Sequence, residues 1–134
     1  MRVALPTALR AQILSDARAA HPRECCGLLT GFHDGEMVRI AALHPARNLS
    51  GDPDRFDVDP RDHILAQKSA RKSGHAVIGC YHSHPNGRAQ PSATDLAGAN
   101  VEDFLWLIAT GDELNAFVYL RGVFTGADWV TSES

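Results

Sequence analysis

The stretch GHAVIGCYHSHP (74–85) restricts the fold more than any other part of the chain. HAVIGCYH (75–82) is apolar, β-branched and aromatic, bounded by Gly74 and Pro85, and reads as a strong strand. Its end breaks the pattern of a buried strand. His82 and His84 flank Ser83, Pro85 follows at once, and Asp95 comes eleven residues after His84. A core has no evident use for three metal-competent side chains at that spacing.

The flanking elements fit around this strand. Arg2 to Leu5 reads as a short strand. Thr7 to Ala20 reads as a helix capped by Thr7, with Leu9, Ile13, Leu14 and Ala17 on one face. His21-Pro22 ends it, because proline disfavours helix in the residue before it. CCGLLTGF (25–32) is a buried-strand pattern, HDG (33–35) a turn, and EMVRIAALH (36–44) the hairpin partner. NLSGDPD (48–54) reads as an exposed loop and RFDVDP as extended chain. Pro60 suits the first turn of a second helix over roughly 60–73, with Ile64 and Leu65 inward. Ser92 to Asn100 reads as a third helix. FLWLIAT (104–110) and LNAFVYLRG (114–122) read as strands joined by GDE, and Trp129 as a docking residue in an otherwise unassigned tail. The order gives an α+β class: a central sheet with helices packed on it, in one domain spanning 1–134.

Composition narrows the function. The 134 residues are 44% hydrophobic and 22% charged, with a net charge of −3. That is the balance of a globular protein, and it gives no electrostatic reason to expect nucleic acid or an anionic membrane. No apolar run reaches a membrane span, and MRVALPTALRAQ lacks a secretory pattern, so a cytoplasmic location is expected. Cys25, Cys26 and Cys80 lack CxxC spacing and read as small buried hydrophobes.

Strand geometry explains part of the histidine pattern. Alternation points His82 and His84 the same way, with Cα atoms roughly 6.5–7 Å apart. Pro85 keeps His84 extended, and Asp95 arrives on the first turn of the next helix. Two imidazoles and a carboxylate leave a coordination position open, as a catalytic zinc site requires. Each part also has a plain reading. Ser92-x-x-Asp95 alone is an ordinary capping box, and a lone HxH is more often two unremarkable histidines. A proton carrier is needed as well, and His33, Asp57, Asp59 and Glu24 lie near expected strand ends. Glu24, at the mouth of CCGLLTGF, reads either as a solvated strand end or as a general base.

Together, Glu24, His82-Ser83-His84-Pro85, Ser92 and Asp95 resemble the signature of the JAMM (MPN-plus) metalloproteases. PRECCGLLTG and GCYHSHP resemble segments of their small bacterial stand-alone members. The resemblance, over about residues 2–122, implies a mixed, mostly antiparallel curved sheet flanked by helices, of cytidine-deaminase-like architecture. It implies zinc on His82, His84 and Asp95 with water as fourth ligand, Glu24 as general base, and Ser92 steadying the oxyanion or the water. It implies hydrolysis of a peptide or isopeptide bond after the C-terminal glycines of a ubiquitin-like or sulfur-carrier protein, for example removal of a cysteine or short peptide. A homodimer is a further expectation. A tail of that kind can add as a strand beside a sheet edge. The 48–56 and NGRAQP loops are the expected contact segments, with Asn48 and Phe56 foremost. A non-catalytic MPN scaffold and a two-histidine, one-carboxylate iron oxygenase are the competing classes.

Overall fold

Two tight turns set the sheet's local pairings. The computed structural model describes residues 1–53, 55–85 and 87–130. Asp54 and Asn86, which fall in the two expected contact loops, and tail residues 131–134 lie outside the described residues. β2 (Cys26–Asp34) and β3 (Met37–Ala46) form an antiparallel hairpin across Gly35-Glu36. Gly35 supplies the positive φ of 63° that the first central position of a primed hairpin turn needs. β6 (Leu114–Leu120) and β7 (Val123–Trp129) are joined by Arg121 and Gly122, at φ 51° and 82°, the two positive values of a type I′ turn.

The strand β4 (Ala76–Ser83) lies between β2, antiparallel to it, and β5 (Phe104–Ala109), parallel to it. A parallel pair needs a crossover, and the chain from His84 to Asp103 makes it with a short helix, α3 (Ala93–Gly98). β5 then pairs antiparallel with β6. β1 (Arg2–Ala4) is parallel to both β3 and β7 and closes the sheet into a barrel of order β1-β3-β2-β4-β5-β6-β7. The architecture is the expected α+β mixture, with a sheet that closes through the first strand.

Strand alternation sends side chains to two clusters. α1 (Thr7–Ala20) brings Ile13 and Ala17 to a core containing Leu29, Tyr81, Leu107 and Val118. α2 (Pro60–Lys72) brings Ala66 to a second cluster with Leu28, Cys80 and Trp106. Phe56 and Val58 pack onto this second cluster, next to the end of β4 that carries the histidines.

Three local expectations are corrected. Thr7 is not the cap of α1: extended Pro6 holds that position with no side-chain bond, and its carbonyl accepts from Leu9 and Arg10. A cap must precede the first helical residue, and Thr7 is already helical. Ile64 and Leu65 do not face inward; they are 51% and 61% exposed, and Ala66 and Ala70 are buried instead. The two alanines, one turn apart, let α2 lie close to β2, β3 and β4, where the sheet's larger side chains fill the interface. α3 stops at Gly98 because Ala99 is already extended. Among the described residues no helix is long and apolar enough to cross a membrane.

Candidate metal centre

The expected site residues arrive from three elements. His82 is the penultimate residue of β4 and is fully buried; His84 follows the strand, half-buried. Their Nε2 atoms lie 3.0 Å apart. Asp95, on the first turn of α3, places one carboxylate oxygen 3.1 Å from each of those nitrogens. Glu24, just before β2, is 4% exposed, so it is not a solvated strand end. Single ligand atoms of Glu24, His82 and His84 fall within 4.8 Å of one another.

The short helix does two jobs. The Ser92 hydroxyl accepts from Asp95 N–H at 3.1 Å, and Asp95 Oδ2 accepts from Ser92 N–H at 2.9 Å. The capping box that sequence offered as the plain alternative is therefore present and also fixes the carboxylate that meets both histidines. Ser92 itself is exposed at the mouth.

Ser83 acts where sequence gave it no role. It points away from the histidines, by the same alternation that pairs them. Its hydroxyl accepts from Cys25 N–H at 2.8 Å, and its own N–H donates to Cys25 carbonyl. The two bonds fasten the end of β4 to the residue after Glu24. The middle position of H-S-H was the available signal.

Asn48 is a clamp. Its amide donates to the carbonyls of Glu24 (3.0 Å) and Arg55 (3.1 Å). Its oxygen accepts from Ser50 N–H (3.0 Å) and Asp57 N–H (2.9 Å). That uses the side chain's two donor hydrogens and both acceptor lone pairs, leaving no vacant polar position for substrate. Arg23 adds a bond to the Ser50 carbonyl. The segment so held presents Phe56, whose ring stacks on His82 at 4.3 Å between centroids, with Trp106 edge-on at 5.7 Å. Of the other proton-carrier candidates, Asp59 caps α2 through Arg61 N–H, and exposed His33 lies toward the hairpin end of β2.

The donor set fits a metal ion. His84 Nδ1 lies 2.8 Å from the Arg88 carbonyl, which can only accept. With an ion bound, the ring keeps its proton on Nδ1 and gives the Nε2 lone pair to the metal, an arrangement common to metal-binding histidines. Without one, burial would lower the His84 pKa, but the Asp95 and Arg88 bonds outweigh it and raise it, so Nε2–H can donate to Asp95. Burial favours neutral His82 and lowers its pKa. Burial alone would raise Asp95, but bonds from His82 and His84 outweigh it and hold the carboxyl well below the usual carboxylate range. The thiols go the other way: burial pushes Cys26 up to about 12 and Cys80 well above its ordinary value, so neither is a thiolate at neutral pH.

Cavities flank the centre on several sides, one of them about 360 Å³ and lined by Arg18, His21, Ser83 and His84, among others. A large one, about 1040 Å³, is lined by Asp95, Phe56, His63, Ala97 and Trp106, among others. A smaller one, about 330 Å³, is lined by Glu24, His84, Arg88 and Ser92, among others.

The barrel thus brings together two histidines at a strand end, a helix-borne aspartate and a buried glutamate. The family described as prokaryotic homologs of the JAB domain matches residues 6–120, and the chain belongs to it as a small JAMM/MPN metallopeptidase. It is 31% identical to the desampylase of Haloferax volcanii over 98% of this chain and 91% of that protein. It is 27% identical to the CysO-cysteine peptidase of Mycobacterium tuberculosis over 84% of this chain and 80% of that one. The solution structure of protein DSY2949 from Desulfitobacterium hafniense superposes with a TM-score of 0.88 at 31% identity, covering 100% of this chain and 94% of the other.

Proposed function

We propose that this protein is a zinc-dependent hydrolase that removes adducts from the C-terminal glycine tail of a ubiquitin-like or sulfur-carrier protein. One observation carries the reading: His82 Nε2, His84 Nε2 and Asp95 converge within 3.1 Å, with Glu24 buried beside them. The names of the relatives, a desampylase and a CysO-cysteine peptidase, support the substrate class.

His82 and His84 would hold the ion through Nε2, and Asp95 through its carboxylate. Two nitrogens and a carboxylate suit zinc. When bound, the ion would polarise the scissile carbonyl and bring the pKa of water down to about 7. Glu24 accepts a proton from the attacking water and returns it to the leaving amine. The Ser92 hydroxyl, at the mouth of the site, donates to the oxyanion that develops on the substrate carbonyl. Phe56 and Trp106 exclude water from behind His82. β4 is paired on both sides, by β2 and β5, so an extended tail cannot add to it. The segment around Phe56 and the large cavity beside Asp95 would hold the tail instead.

The test is incubation with ubiquitin-like carriers bearing different C-terminal extensions, read by intact mass. Loss of the extension after the terminal glycine is expected. Glu24→Ala should retain stoichiometric zinc by metal analysis and lose cleavage; His84→Ala should lose both. Cleavage by Glu24→Ala at the wild-type rate would overturn the proton-carrier role.

A further inference from the structure

We propose that Arg88 receives the free α-carboxylate of the residue released from the carrier's C-terminus. The site then selects C-terminal extensions over lysine-linked conjugates. This rests on the hydrolase reading above and adds the substrate's leaving-group side to it.

The cavities that carry Glu24 and Asp95 give the site a direction; the third, beside His84, is lined by neither. Glu24 lines only the small one, and Asp95 only the large one. In the hydrolysis the water oxygen joins the carbonyl carbon and the C–N bond breaks. The proton taken by Glu24 ends on the departing nitrogen. The amine product therefore leaves on the Glu24 flank, through a cavity about a third the size of the other.

Arg88 is the one lysine or arginine among the described residues lining that cavity, and it makes no ion pair among them. Its anchor is fixed. The Arg88 carbonyl accepts from His84 Nδ1 at 2.8 Å. The next residue, Ala89, is buried, and its carbonyl accepts from Asn115 Nδ2 at 3.0 Å. Gly87 lies against His84 so closely that a Cβ there would stand 3.3 Å from His84 Cβ. A guanidinium on a long side chain thus starts from a backbone position tied to the candidate metal centre. Its planar fork matches a carboxylate through two parallel hydrogen bonds. A C-terminal amino acid presents its carboxylate one carbon from the released nitrogen. A lysine-linked leaving group presents a methylene chain there, its own carboxyl being tied up in a peptide bond.

The experiment uses three ligands with one Gly-Gly tail: a C-terminal alanine with a free carboxylate, the same alanine amidated, and an isopeptide to lysine Nε. Binding is measured by anisotropy on zinc-loaded Glu24→Gln protein, and kcat/KM on zinc-loaded wild type. The free acid should exceed the amide about tenfold or more in both, the scale of a charge-assisted bond. Arg88→Ala should bring the acid-to-amide ratio near 1, Arg88→Lys should keep part of it, and Arg88→Glu should invert it. Equal binding of acid and amide, or an unchanged ratio in Arg88→Ala, overturns the assignment. Acid-selective binding lost in Arg88→Ala, without cleavage of any ligand by the wild type, upholds Arg88 and defeats the hydrolase reading alone.

Discussion

Replacing Asn48 with alanine tests whether one side chain holds the wall of the site. Four hydrogen bonds disappear: two from the amide, at 3.0 and 3.1 Å, and two to the oxygen, at 3.0 and 2.9 Å. A typical intramolecular bond contributes about 0.5–1.5 kcal/mol net. Asn48 is only half-buried, so water can replace some of these, and bonds sharing one side chain are not additive. The expected loss is near the lower end of the sum, about 2 kcal/mol. Urea unfolding should show it as a lower midpoint at unchanged slope. Asn48→Asp refines the test. Aspartate retains both acceptor bonds but sets an anionic oxygen against the Glu24 and Arg55 carbonyls. At neutral pH it should destabilise at least as much as alanine despite being nearly isosteric. Both variants should also lower kcat/KM, because the segment they loosen carries Phe56 over His82. A midpoint for Asn48→Ala within about 0.5 kcal/mol of wild type, or wild-type stability in Asn48→Asp, would refute the clamp.

Other outcomes follow from burial and charge. Leu65→Lys should change stability by no more than about 0.5 kcal/mol, whereas Ala66→Leu should lose about 1–3 kcal/mol by overpacking; thermal melts of the pair decide which face of α2 is inward. Gly79→Ala should destabilise by about 1–3 kcal/mol or prevent folding, since its Cβ would stand 2.3 Å from the Leu105 carbonyl oxygen; a normal melt would contradict that packing. Metal-free Asp95→Asn should be less stable than wild type near neutrality. A depressed folded pKa contributes stability above the unfolded value, about 3.9, and loses it as pH falls through the folded one. The two melting curves should therefore converge as pH drops below about 4, and a gap independent of pH would show that the carboxylate's charge is not what His82 and His84 hold.

Sequence revealed what depends on short range. His82, His84, Ser92 and Asp95 lie within 14 residues, so strand alternation and one cap suffice to converge them. Glu24 was ambiguous because its neighbours in sequence do not determine its burial; the β2–β4 pairing does. The inward face of α2 is not legible in periodicity, because Ile64 and Leu65 are its strongest apolar signal, while Ala66 and Ala70 contribute smallness, which periodicity does not weigh. The clamping role of Asn48 is not legible in its local sequence, because its partners stand up to 24 positions away. β7 is not legible in the sequence because VFTGADW is largely exposed and lacks the apolar alternation that marks a half-buried strand.

The first strand has a consequence for how the chain matures. Arg2 and Val3 sit beside Asp128 and Trp129, so the ring of strands cannot be completed until residue 129 has left the ribosome. Contacts this distant in sequence are slow to form. During that wait the histidine strand and α3 can be present while the seam between β1 and β7 is still open.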